Sequence, residues 1–85
     1  MAKIEIYTKG YCPYCKRAKA LFAQKGVEYT DFEIDKNPEL RDVMIQRANG
    51  GHTVPQIFIG ETHVGGCDDL FALERRGKLD DLLSA

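Results

Sequence analysis

No stretch of the chain approaches the ~20 consecutive apolar residues of a transmembrane helix. The first residues also lack the basic segment and apolar run that mark an export signal. The expectation is a soluble, cytoplasmic protein without a membrane partner. Charge of either sign is not in excess, with 12 Lys and Arg against 13 Asp and Glu, so no global field holds nucleic acid. Cysteine is scarce. Its three residues are an odd number, and two of them lie three positions apart, unlike the even, dispersed framework of a small disulfide-stapled scaffold. Tryptophan is absent altogether.

What is present is an ordinary globular composition, 44% hydrophobic and 29% charged over 85 residues. That reads as one domain, residues 1–85, able to bury most of its apolar surface without metals or staples. Ile4 and Ile6 alternate with Lys3, Glu5 and Tyr7, a period of two that Gly10 ends. From Cys12 the apolar set becomes Cys15, Ala18, Leu21 and Phe22, a helical stripe stopped by Gly26. Val27 to Ile34 alternates again, with Phe32 and Ile34 on one face. Asn37 and Pro38 then offer an N-cap and a first helical residue for a stripe of Leu40, Val43 and Met44, ended by Asn49-Gly50-Gly51.

Ile57-Phe58-Ile59 and the run around Val64 flank Gly60-Glu61, a pair suited to a type II′ hairpin turn. Asp68 is placed to cap a helix carrying Leu70 and Leu73, and Leu79, Leu82 and Leu83 add a helical turn or two. The order is β-α-β-α-β-β-α. A right-handed crossover makes the first two strands parallel, and the hairpin completes a four-stranded mixed sheet flanked by helices. This α/β layout is a thioredoxin-like fold.

Cys12 and Cys15 at positions i and i+3 of a first helical turn lie on one side, close enough to form a reversible disulfide. At the start of the helix the Cys12 sulfur meets unpaired N–H groups and the positive end of the dipole, which favour thiolate, and Lys9 is near in sequence. Cys15 falls on the apolar stripe. Cys12 therefore reads as the attacking nucleophile and Cys15 as the buried resolving thiol. The competing reading, a zinc site from Cys12, Cys15, His63 and Cys67, is disfavoured because structural zinc usually rescues a domain that lacks a core. His52 and His63 have no partner fixed by sequence and read as surface or turn residues.

Cys12-Pro13-Tyr14-Cys15, followed by Thr53-Val54-Pro55 and Gly65-Gly66-Cys67-Asp68, resembles the dithiol glutaredoxins. The resemblance covers essentially the whole chain, and three separated motifs are far more specific than a lone C-x-x-C. It implies a cis Val54–Pro55 bond beside the cysteines, where general statistics give cis in only about 5% of X-Pro bonds. It also implies an unpaired Val54 backbone able to bond a peptide-like substrate.

A glutathione site is implied as well. Backbone N–H groups of a helix N-terminus at Cys67 and Asp68, with Gly66 beside them in the site, would take the γ-glutamyl carboxylate, and the Asp68 side chain the ammonium. Lys9 and Gln56 would take the glycyl carboxylate, with Tyr14 and Thr53 completing the site. Asp68 is compatible with an ordinary helix cap, and Cys67 reads as a small residue filling a helix start more readily than as a redox-modified thiol.

The implied activity is reduction of protein disulfides and protein–glutathione mixed disulfides, with glutathione as reductant and no permanently bound metal or organic cofactor. The partners are glutathione and disulfide-containing or glutathionylated proteins, met by a monomer. Two rivals remain. One is a thioredoxin-like reductant recycled by a flavoprotein reductase, against which stand Pro13-Tyr14, the Gly-Gly-Cys-Asp segment and the lack of a tryptophan beside Cys12. The other is an iron–sulfur module using Cys12 and external glutathione, whose members resemble a one-cysteine version with glycine after the nucleophile.

Overall fold

In the computed structural model, which describes residues 2–85, Ile4–Thr8 form β1 and Pro13–Gln24 form α1. Met1, the first residue of the expected domain, lies outside the described residues. Thr30–Glu33 form β2, Glu39–Arg47 α2, Gln56–Ile59 β3, Thr62–Gly65 β4, Cys67–Arg75 α3 and Leu79–Leu83 α4. The sheet order is β2-β1-β3-β4, with β1 parallel to β2 and antiparallel to β3, and β3 antiparallel to β4. This is the thioredoxin-like layout expected from the element order.

Period-two alternation sends side chains to both faces of the sheet, and helices cover both. Ile4, Ile6, Ile57 and Ile59 face α1, α3 and α4, packing with Phe22, Leu70, Leu79 and Leu83. Tyr7 and Phe58 point the other way, against Met44 and Ala48 of α2 and its end. Fully burying Phe22 alone is worth about 1.5–3 kcal/mol relative to exposure.

Several boundaries differ from those expected. β2 starts at Thr30 rather than Val27, because the Val27 N–H closes α1 by donating to the Phe22 carbonyl at 3.2 Å. Asn37 gives α2 no side-chain cap; Pro38 already has helical dihedrals, and the Leu40 N–H bonds the Asn37 carbonyl at 3.0 Å. Val43 is 43% exposed. The buried arc of α2 runs instead through Leu40, Met44, Ile45 and Ala48, near the i, i+4, i+8 row that faces the sheet. In the hairpin, Gly60 has φ +59 and Glu61 is not left-handed, as a type II′ turn requires.

β4 carries an irregularity absent from the sequence reading. Phe58 pairs with His63 but Ile57 pairs with Gly65, so one extra residue is accommodated on β4. Such a bulge bends its strand. Here it delivers Gly66 directly into α3, toward the end of the sheet where β1 leaves for α1 and β3 begins. Among the described residues no helix is long and apolar enough to cross a membrane.

Candidate active site

Three chain segments meet at that end of the sheet: the β1–α1 loop, the residues before β3, and the β4–α3 junction. In the first, Cys12 is the N-cap of α1 and Pro13 its first residue. The Cys12 sulfur accepts a hydrogen bond from the Cys15 N–H at 3.3 Å, satisfying one of the orphan donors of the first turn. The first turn of α1 holds no acidic side chain, whereas those of α2, α3 and α4 do. The place a carboxylate would take at the positive end of the dipole is held by this sulfur.

Cys15 is 1% exposed. Burial, reinforced by a hydrogen bond to Cys12, pushes its thiol up to about 12. The two cysteines are thus unlike in exposure and environment, as the helical stripe implied: Cys12 is half-buried and Cys15 enclosed, and both are free thiols. Tyr11, just before Cys12, and Tyr14, between the two cysteines, are strongly exposed.

The second segment, Thr53 to Gln56, carries a cis Val54–Pro55 bond, as expected from the resemblance. The Cys12 Sγ–H lies 3.9 Å from the Val54 carbonyl, while the Val54 N–H bonds to no group among the described residues. Gln56 is 5% exposed, and its amide is oriented from both ends. Its Nε2 donates to Thr53 Oγ1 at 3.4 Å, and its Oε1 lies 2.7 Å from His63 Nε2. Gly51 lies close beside it: a Cβ there would come within 3.1 Å of Gln56 Nε2.

In the third segment the expected cap is corrected. Gly66, not Asp68, is the N-cap of α3. Asp69 supplies half a capping box, its Oδ2 accepting from the Gly66 N–H at 3.0 Å. With the helix starting at Cys67, Asp68 lies inside the first turn and is exposed, free to meet a ligand. The N–H groups of Cys67 and Asp68 remain as donors at the helix end. Cys67 is 4% exposed, and burial holds its thiol above the ordinary value despite the opposing charge of Arg17.

A cleft of about 370 Å³ runs between these segments. Tyr14, Thr53, Val54, Pro55, Gln56, Gly66, Cys67 and Asp68, all expected, line it; Lys9 does not. Lys9 instead contributes backbone, its carbonyl accepting from the Cys12 N–H at 3.4 Å. His63, expected as a surface or turn residue, lies on β4, stacks on Phe58 with ring centroids 4.8 Å apart and lines the cleft, as does Asp69. The His63–Gln56 pairing depends on strand register, and no local sequence signal marks it. Among the described residues no three or more His, Cys, Asp or Glu side chains are grouped to hold a metal.

Comparison with known proteins bears on this arrangement. A family model described as glutaredoxin matches residues 4–64. The chain is 60% identical over 85 residues to a glutaredoxin of Pseudomonas aeruginosa, covering 100% of each. It is 59% identical over 83 residues to glutaredoxin 3 of Escherichia coli K12, covering 98% of this chain and 99% of the other. Among solved structures it is similar to a crystal structure of a buckwheat glutaredoxin–glutathione complex, with a TM-score of 0.89, 37% identity, and 98% of this chain and 77% of that one covered.

Proposed function

Because the chain belongs to the glutaredoxin family, and so to the thiol oxidoreductases, we propose that it is a glutathione-dependent dithiol enzyme. It reduces protein disulfides and protein–glutathione mixed disulfides as a monomeric single domain, in a cytoplasm where glutathione keeps thiols reduced. The observation that carries this reading is one juxtaposition. Cys12, whose sulfur accepts from the Cys15 N–H, abuts Val54, and Val54 also lines a cleft that ends on the N-terminus of α3. The cleft falls within the ~300–1,000 Å³ of small-molecule sites.

Each charged group of glutathione has a partner. The Cys67 and Asp68 N–H groups take the γ-glutamyl carboxylate, the exposed Asp68 carboxylate takes the ammonium, and the free Val54 N–H, with its carbonyl, pairs the peptide-like backbone beside Cys12. Thr53, Pro55, Gly66 and Tyr14 form the walls. Gln56, with its amide fixed, faces the glycyl end. Lys9, outside the cleft, supplies only a nearby positive charge.

The Cys12 thiolate attacks one sulfur of a substrate disulfide and expels the other as thiolate, leaving a mixed disulfide on Cys12. With a protein bound there, Cys15 loses its proton and attacks Cys12. The protein sulfur leaves and takes up a proton, and a Cys12–Cys15 disulfide remains for two glutathiones to reduce. With a glutathionyl group bound there, a second glutathione releases it as glutathione disulfide without Cys15.

The test is glutathione-driven reduction of a glutathionylated peptide. The wild type and Cys15→Ser should both turn over, and Cys12→Ser should not. A wild type inactive with glutathione but active with a flavoprotein reductase would replace this reading with the thioredoxin-like one.

A further inference from the structure

Beneath the redox pair lies an ion pair to which no role above has been given. Lys19 is one helical turn beyond Cys15 on the same face of α1, and its Nζ meets Asp31 Oδ2 of β2 at 2.5 Å. The other carboxylate oxygen, Oδ1, accepts from the Thr8 hydroxyl at 2.6 Å. Thr8 is fully buried at the end of β1, where the chain leaves for Cys12. The side chains of Lys19 and Asp31 are only 25% and 26% exposed, so their charges are screened less than surface charges. Tyr29 and Glu33 also face Lys19. Cys15 is faced by Cys12 and Lys19, and by the Lys9 backbone.

The resolving step asks most of this region. Cys15 is strongly protonated for the reasons given above, and among the charges acting on it that of Lys19 favours the thiolate. Burial works against the charge of Lys19 itself, but the hydrogen bond and charge of Asp31 outweigh it and hold the ammonium protonated.

We propose that Lys19 and Asp31 set the rate of the Cys15 step, Lys19 as a positioning charge that favours negative charge on Cys15 Sγ and Asp31 as the counter-charge that anchors Lys19 and limits its effect. This rests on the dithiol reading above. In the step, the Cys15 S–H bond breaks, a bond forms from Cys15 Sγ to Cys12 Sγ, and the bond from Cys12 to the bound sulfur breaks. The departing thiolate takes up one proton, so no external oxidant or reductant enters.

The magnitude follows from two opposed effects. A one-unit change in thiol acidity alters the thiolate population about tenfold, while nucleophilicity moves the other way by about threefold on a Brønsted slope near 0.45. The net is about threefold in rate.

The probe is the mixed disulfide of Cys12 with thionitrobenzoate, from which attack by Cys15 releases coloured thiolate at a rate independent of protein concentration. Lys19→Met should release it about threefold more slowly and Lys19→Arg at the wild-type rate. Asp31→Asn, which still accepts from Thr8, should release it about threefold faster. The differences should change little with salt, because these charges are screened less than surface charges. If Lys19→Met and Asp31→Asn both slow release, or neither changes it, the pair is only a tie between α1 and the sheet and the inference fails. The probe needs no glutathione, so failure of the glutathione reading in the peptide assay remains a separate outcome.

Discussion

Replacing Gly65 by alanine tests how the bulge, the cap and the cleft depend on one another. Gly65 has φ +112, and a Cβ there would sit 2.3 Å from Asp69 Oδ2 and 3.0 Å from its Cγ. Asp69 would have to swing away and release the Gly66 N–H it now holds. The left-handed backbone costs alanine about 1–2 kcal/mol, and loss of the cap costs about 0.5–2 kcal/mol more. Gly77 is the control, with φ +71 and nothing within 4 Å of a Cβ, so Gly77→Ala carries only the backbone cost. For a domain of this size ~1 kcal/mol shifts Tm by about 4–8 °C. Gly65→Ala should therefore melt some 2–16 °C below Gly77→Ala, the lost cap of about 0.5–2 kcal/mol being the difference, and should show a raised KM for glutathione because the start of α3 shifts. Adding Asp69→Ala to Gly65→Ala should cost little more, because the Asp69 cap is already lost. Equal melting temperatures for the two glycine variants would refute this reasoning.

Three further outcomes are expected. Cys15 keeps its proton to about 12 in the fold, against an ordinary value of 9.0; between these the unfolded chain binds fewer protons, so the stabilisation is full below pH 9 and lost as pH rises toward 12, at up to about 1.4 kcal/mol per pH unit. Urea midpoints of the reduced wild type should fall more steeply over that range than those of Cys15→Ala, and parallel slopes would contradict it. Arg47 donates to Tyr7 Oη at 2.9 Å and Glu5 Oε1 at 3.0 Å and lies 4.2 Å above the Phe58 ring; Arg47→Met should cost about 1–2 kcal/mol in chemical denaturation, and lysine should not restore it. Asp68→Asn should raise the KM for glutathione about fivefold, the worth of a partly solvated ion pair of about 1 kcal/mol, with kcat little changed in steady-state kinetics; an unchanged KM would remove Asp68 from the ammonium site.

The parts of the molecule legible in the sequence are those written in local periodicity. The β1 alternation, the α1 stripe and the spacing of Cys12 and Cys15 each follow from a window of a few residues, and the structure places both cysteines where the 3.6-residue period puts them. The Gly60 turn was readable for the same reason. What escaped depends on pairing between distant segments. The extra residue on β4 is defined only by its register with β3, and the helix after it is capped at Gly66 with the help of Asp69 rather than at Asp68. The His63–Gln56 contact joins two strands, and the Thr8–Asp31–Lys19 cluster joins three elements. Val43 is exposed although it falls on the apolar stripe, because helical spacing alone does not say which side of a mixed stripe faces the sheet.

In the proposed reaction Cys12 is the sulfur that accepts glutathione, while Cys15 and Cys67 are enclosed. The most direct measurement is peptide mapping by mass spectrometry of Cys15→Ser after brief exposure to glutathione disulfide. The predicted result is one glutathionyl group, on Cys12, with Cys67 unmodified. Glutathione found on Cys67, or no adduct on Cys12, would contradict the assignment of the site.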